Sequence, residues 1–84
     1  MAHRPSNKYE RKIWDKFFDK GWIVYRNGWP DILAEHNGSL VAVEVKGMDS
    51  QELSIEQREV MKLLHKHGVK CYKWSPGEGF KNIF

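Results

Sequence analysis

The chain has 84 residues, too few for more than one domain and near the size at which a lone hydrophobic core becomes marginal, so a single domain over 1–84 that pairs with a second copy is expected. No apolar run approaches the roughly 20 residues of a membrane span, the opening Met-Ala-His-Arg-Pro lacks the apolar stretch of a signal peptide, and a single Cys can form neither an internal disulfide nor a thiolate zinc site. A reducing, cytoplasmic setting is the expectation, and the net charge of +3 permits a polyanionic partner without demonstrating one, because Lys and Arg are spread over both halves.

Ser6 or Asn7 can cap a helix that runs to about Lys20 and turns out at Gly21. Trp22 to Arg26 is rich in aromatic and β-branched residues and reads as a strand, followed by turn chemistry at Asn27-Gly28-Trp29-Pro30. A second strand begins at Asp31 and runs to about Glu35, Asn37-Gly38 marks a two-residue hairpin, and Leu40 to Lys46 is the return strand. A polar connection leads to Ser54-Ile55-Glu56-Gln57, which has the form of a capping box and opens a second helix ending at Gly68. Val69 to Trp74 is the last expected strand. Ser75 to Gly79 then breaks regular structure, and Phe80, Ile83 and Phe84 form an apolar tail suited to packing on the core or on a partner. Helix, three strands, helix, strand is the order of an α/β fold with a mixed sheet flanked by helices.

Three acids sit where decoration does not explain them. On the first helix, Tyr9, Ile13, Trp14, Phe17 and Phe18 share one half of the circumference, with Arg11, Lys12, Asp15, Lys16 and Asp19 on the other. Glu10 falls in the apolar half, as an inward carboxylate or as the capping-box partner of Asn7. In the hairpin, a turn at Asn37-Gly38 pairs His36 with Ser39, and counting outward in step brings Asp31 opposite Glu44, with Cβ atoms ~4.5–5.5 Å apart. Two facing carboxylates repel and are costly to bury, so a shared divalent cation explains the placement economically. Side chains alternate along the return strand, so Glu44 and Lys46 are neighbours on the face opposite Val41, Val43 and Val45. That strand alone reads as an amphipathic edge with Lys46 pairing Glu44; the opposed Asp31 reverses the preference. On the second helix, Val60, Leu63, Leu64 and His67 mark the inward sector with Met61 at its margin. Gln57 lies beside Met61 and Leu64, either as the capping partner of Ser54 or as an amide for a water or a phosphate oxygen. His65 and His67 do not face together and form no metal pair, and Cys71 reads as packing.

These residues resemble a known pattern. Gly28-Trp29-Pro30-Asp31, a hairpin, and then Glu44-Val45-Lys46 are similar to the motif of the PD-(D/E)XK nuclease superfamily, whose restriction-endonuclease-like core matches the α-β-β-β-α-β order. Glu10 sits where Holliday junction resolvase-like members carry an acid on the first helix. Leu53-Ser54-Ile55-Glu56-Gln57 resembles the segment after the motif in the VRR-NUC branch, which includes short stand-alone proteins of phage type. The resemblance implies Mg²⁺, with Mn²⁺ able to substitute, held by Asp31, Glu44 and the Val45 carbonyl, with Glu10 a further direct or water-mediated ligand. It implies Lys46 as the charge partner of the attacking water or the scissile phosphate, and phosphodiester hydrolysis leaving 5′-phosphate and 3′-hydroxyl ends. The implied enzyme is a homodimeric endonuclease of branched DNA such as Holliday junctions; the alternatives are nicking or flap cutting of other DNA structures, or a non-catalytic nucleic-acid-binding module of the same fold. Members with a glutamine on the second helix often carry Tyr four residues later, where this chain has Met61, which leaves Gln57 less well supported than Asp31, Glu44 and Lys46. Trp22, Trp29, Trp74, Phe80 and Phe84 are candidates for the dimer interface or the core, and Trp29 alternatively for stacking on a base.

Overall fold

The structure is a computed structural model and describes residues 5–25 and 30–84, apart from the Tyr25 side chain. The Asn27–Trp29 turn, the strand end expected at Arg26 and the Trp29 ring lie outside the described residues. Asn7 rather than Ser6 starts the first helix: its side-chain oxygen accepts from the amides of Tyr9 and Glu10 at 3.0 and 3.1 Å, and α1 spans Lys8–Asp19.

Three antiparallel strands follow, β1 over Ile23–Tyr25, β2 over Ile32–His36 and β3 over Ser39–Val45. Asn37 and Gly38 have φ of 50° and 84°, the two left-handed positions of a type I′ turn, whose twist suits a two-residue hairpin. His36 pairs with Ser39 and Ile32 with Val43, the register expected from that turn. Ser54 opens α2 (Ile55–Lys66), which carries the chain across to β4 (Lys70–Ser75), parallel to β3. The sheet order is β1-β2-β3-β4-β5, because a fifth strand over Gly79–Asn82 turns back against β4.

That fifth strand corrects the expected break and tail. Gly79, at φ +70°, begins the return strand, and the amide of Ile83 donates to the Cys71 carbonyl at 3.1 Å, so the tail is bound to the sheet edge. The two faces of the sheet carry separate cores. Ile13 and Trp14 of α1 pack on Val24, Ile32, Ala34, Val41, Val43 and Trp74. Met61 of α2 packs on Ala42, Val69 and Cys71 of the other face.

The phase of α2 also differs from expectation. Met61 is its buried anchor at 1% exposure, whereas Leu63 is 59% exposed and His67 faces solvent. Ala42 and Cys71 are small, so they leave room for the long unbranched Met61 rather than for Leu63. Trp74, expected at a partner interface or in the core, is in the core at 5% exposure. Among the described residues no helix is long and apolar enough to cross a membrane.

Candidate active site

β3 ends by carrying Glu44 into the interior. Its neighbours Ala42 and Val43 are fully buried, and Glu44 itself is 1% exposed. Among the described residues neither carboxylate oxygen has a close hydrogen-bond partner, an expensive state for a charge in a dry setting. Burial above all, then the nearby charge and oxygens of Asp31, push the Glu44 carboxyl up to about 8, while Lys46 pulls in the opposite direction. Asp31 lies one residue before β2, half-buried, and its Oδ2 accepts from the Val45 amide at 2.9 Å, fixing the strand end where Glu44 turns inward.

Lys46 leaves the end of β3 towards the start of α2, where its Nζ donates to Gln57 Oε1 at 2.9 Å. The same oxygen accepts from the Ser54 amide at 2.9 Å, while the Gln57 amide donates to Ser54 Oγ at 3.1 Å. Of the two roles weighed for Gln57 the structure shows the capping box of α2, and the same side-chain oxygen takes on a contact not expected from sequence, with the Lys46 ammonium. Glu10 is half-buried on α1, but among the described residues no group of three or more His, Cys, Asp and Glu gathers to hold an ion, so it does not join Asp31 and Glu44 in one close cluster.

The donor set fits a hard divalent cation: two adjacent carboxylates, one of them buried with both oxygens unpartnered, and a backbone carbonyl at Val45 between Glu44 and Lys46. A cation would supply the positive charge that Glu44 lacks.

A second set of contacts, not expected from sequence, holds the loop after Lys46. Gln51 Oε1 accepts from the amides of Gly47 and Met48 at 2.9 and 3.0 Å. Asp49 Oδ1 accepts from the amides of Gly77 and Glu78 at 2.9 and 3.1 Å, and Lys73, only 9% exposed, donates through Nζ to the Asp49 carbonyl at 2.9 Å. The Ser75 hydroxyl first, then the Gly77 and Glu78 amides and Lys73, hold the Asp49 carboxyl below its ordinary range despite a smaller opposing effect of desolvation. Lys73 pairs in register with Glu44 across β3 and β4, so an inward-facing lysine on a central strand was the available signal for this latch.

A mixed sheet with one helix on each face, entered through an antiparallel hairpin and left through a parallel crossover, is the fold of restriction-endonuclease-like nucleases. The family model described as archaeal Holliday junction resolvase (hjc) matches residues 1–67, and the chain belongs to that family of structure-specific endonucleases acting on branched DNA. Among solved structures it is similar to Archaeoglobus fulgidus Hjc, a Holliday junction resolvase from an archaeal hyperthermophile, with a TM-score of 0.62 and 22% sequence identity over 88% of this chain and 67% of that one. No curated protein matches the sequence.

Proposed function

We propose that this chain is a single-domain, Mg²⁺-dependent endonuclease that cuts branched DNA as a homodimer. The observation that carries the reading is Glu44, a buried acid with both oxygens unpartnered beside Asp31 and close enough to Lys46 to feel its charge. Asp31, Glu44 and the Val45 carbonyl would hold the cation, with Mn²⁺ able to substitute, and Glu10 would reach it through water. When bound, the cation supplies a lowered pKa to an attacking water and neutralises charge on the scissile phosphate. Lys46, held by Gln57 at 2.9 Å, orients that water or meets the charge developing on the phosphate. The ground for placing the chain near the VRR-NUC branch is that the branch's segment after the motif resembles residues 53–57.

The test compares wild type and Lys46→Ala on four-way junction, flap, duplex and single-stranded DNA with Mg²⁺, Mn²⁺ or EDTA, with products resolved on denaturing gels. Paired, metal-dependent cuts in the junction that the variant loses support the reading. Cutting confined to flaps or nicks moves the substrate, and binding without cutting on every substrate makes the chain a non-catalytic module.

A further inference from the structure

One end of α1 lies against the residue after Lys46: the Tyr9 ring is 3.8 Å from where a Cβ on Gly47 would stand. The other end opens onto a groove of about 440 Å³ on the same face of the sheet, walled by Phe17, Trp22, Tyr72 and Phe80, with Val41 as its floor. Phe17 meets Trp22 edge-on at 5.3 Å and Phe80 at 6.1 Å, and Tyr72 meets Phe80 at 6.0 Å, so the wall is a continuous set of half-buried rings. Lys16, Lys20 and Lys70 complete the lining, and among the described residues no Asp or Glu is part of it. Asp15 and Asp19 lie on α1 outside that lining.

Lys8, Lys12, Lys16 and Lys20 recur every fourth residue along α1 and its cap, a ladder of roughly 18 Å at 1.5 Å per residue. Three of its ammonium groups sit over rings: Lys8 over Tyr9 at 5.1 Å, Lys12 over Trp74 at 5.4 Å and Lys16 over Phe80 at 5.0 Å. Like charges four apart on a helix repel, so the spacing weakens the isolated helix and is relieved by a polyanion laid along it. A duplex would satisfy the lysines but not the groove, because its base faces are already stacked on each other; unpaired bases stack on exposed rings.

We propose that the lysine ladder of α1 and the aromatic groove at its end form a track for an unpaired DNA strand on the face of the sheet opposite the one that carries Glu44. The track extends the reading of a DNA-cutting chain by naming the DNA feature that is gripped, and it does not require cleavage. The experiment measures fluorescence anisotropy of a labelled oligothymidylate of about 12 nucleotides in EDTA, for wild type, Glu44→Gln and the double variant Lys16→Glu with Lys70→Glu, whose exposed positions leave the core intact. Wild type and Glu44→Gln should bind alike, with affinity falling as salt rises, and the double variant at least about tenfold more weakly. A 5-iododeoxyuridine probe should cross-link to Trp22, Tyr72 or Phe80, and the matching duplex should compete poorly.

Unchanged binding by the double variant, cross-links elsewhere, or equal competition by duplex overturns the track. So does sedimentation showing that the double variant turns a dimer into monomer, which would make the groove a contact between copies. A chain that binds oligothymidylate through the groove yet cuts no junction overturns the nuclease reading and leaves the track standing. One that cuts junctions while the double variant binds as tightly as wild type does the reverse.

Discussion

A carboxyl raised to about 8 in the folded protein and ionising at 4.5 in the unfolded chain makes Glu44 a liability as pH rises. Between those values the unfolded state gives up the proton that the folded state keeps, so stability without metal should fall across that window. Cation binding selects the ionised form, releases the proton and should restore what was lost. The melting temperature in EDTA is therefore expected to fall from about pH 5 to about pH 8, Mg²⁺ or Mn²⁺ to raise it more at the upper end, and Glu44→Gln to flatten the profile. A Glu44→Gln profile as steep as wild type would assign the titration elsewhere. Gln57 allows a separation of a different kind. Ser54→Ala and Gln57→Ala should each lower stability by about 1 kcal/mol through the cap, but only Gln57→Ala frees Lys46, and only it should reduce the turnover number on junction DNA, by about tenfold to a hundredfold. Equal turnover in the two variants would leave Gln57 as a cap alone. The register from His36–Ser39 to Ile32–Val43, which brings Asp31 near Glu44, was legible in sequence because an Asn-Gly turn and strict side-chain alternation fix it locally. The Asp31 carboxylate bond to the Val45 amide and the shared oxygen of Gln57 were not, because both depend on where the ends of different elements meet.

The β4–β5 hairpin and the loop after Lys46 act as one piece through Asp49. A Cβ on Gly77 would collide with the Asp49 carboxylate, which cannot swing aside without giving up the Gly77 and Glu78 amides. Gly77→Ala should therefore release the loop, seen as faster hydrogen exchange at the amides of Gly77, Glu78 and Met48 with little change at those of β2 and β3. Uniform acceleration across the sheet would indicate general destabilisation instead. Because the folded Asp49 carboxyl lies below its ordinary 3.8, its contribution is complete above that pH and is lost only as pH falls through the lowered value, so the latch should hold at about pH 4. The same hairpin shows where element reading runs short. Ser75-Pro76-Gly77-Glu78-Gly79 has break chemistry, and only pairing with β4 turns it into a hairpin turn rather than the end of the fold. Likewise the two-turn periodicity of α2 gave an inward face, but its final rotation follows the space above Ala42 and Cys71.

At the scale of the molecule, a radius of gyration of 11.9 Å is what a compact chain of this length has, about 12 Å. What a partner would change is exposed apolar surface. Ile55 at 79% and Leu63 at 59% exposure share the outer side of α2, opposite the buried Met61, and Met48 at 60% is a further exposed apolar side chain in the loop that precedes the helix. Glu59 and the lysines at 62 and 66 surround Leu63, so two copies of α2 packed antiparallel about a two-fold axis would bury the apolar pair and set the carboxylate of one against the ammonium groups of the other. Such a dimer presents two Asp31–Glu44 sites related by the same axis, the arrangement that opposed cuts on a two-fold junction require. Sedimentation equilibrium should find wild type dimeric, with Ile55→Glu combined with Leu63→Glu monomeric but folded. On junction DNA that monomer should leave single nicks in place of paired cuts, while its affinity for oligothymidylate stays near wild type, since the α1 track lies on the other face of the sheet. A wild type that is monomeric on junction DNA and still makes paired cuts would mean that two chains meet only through the DNA, and α2 would lose its role.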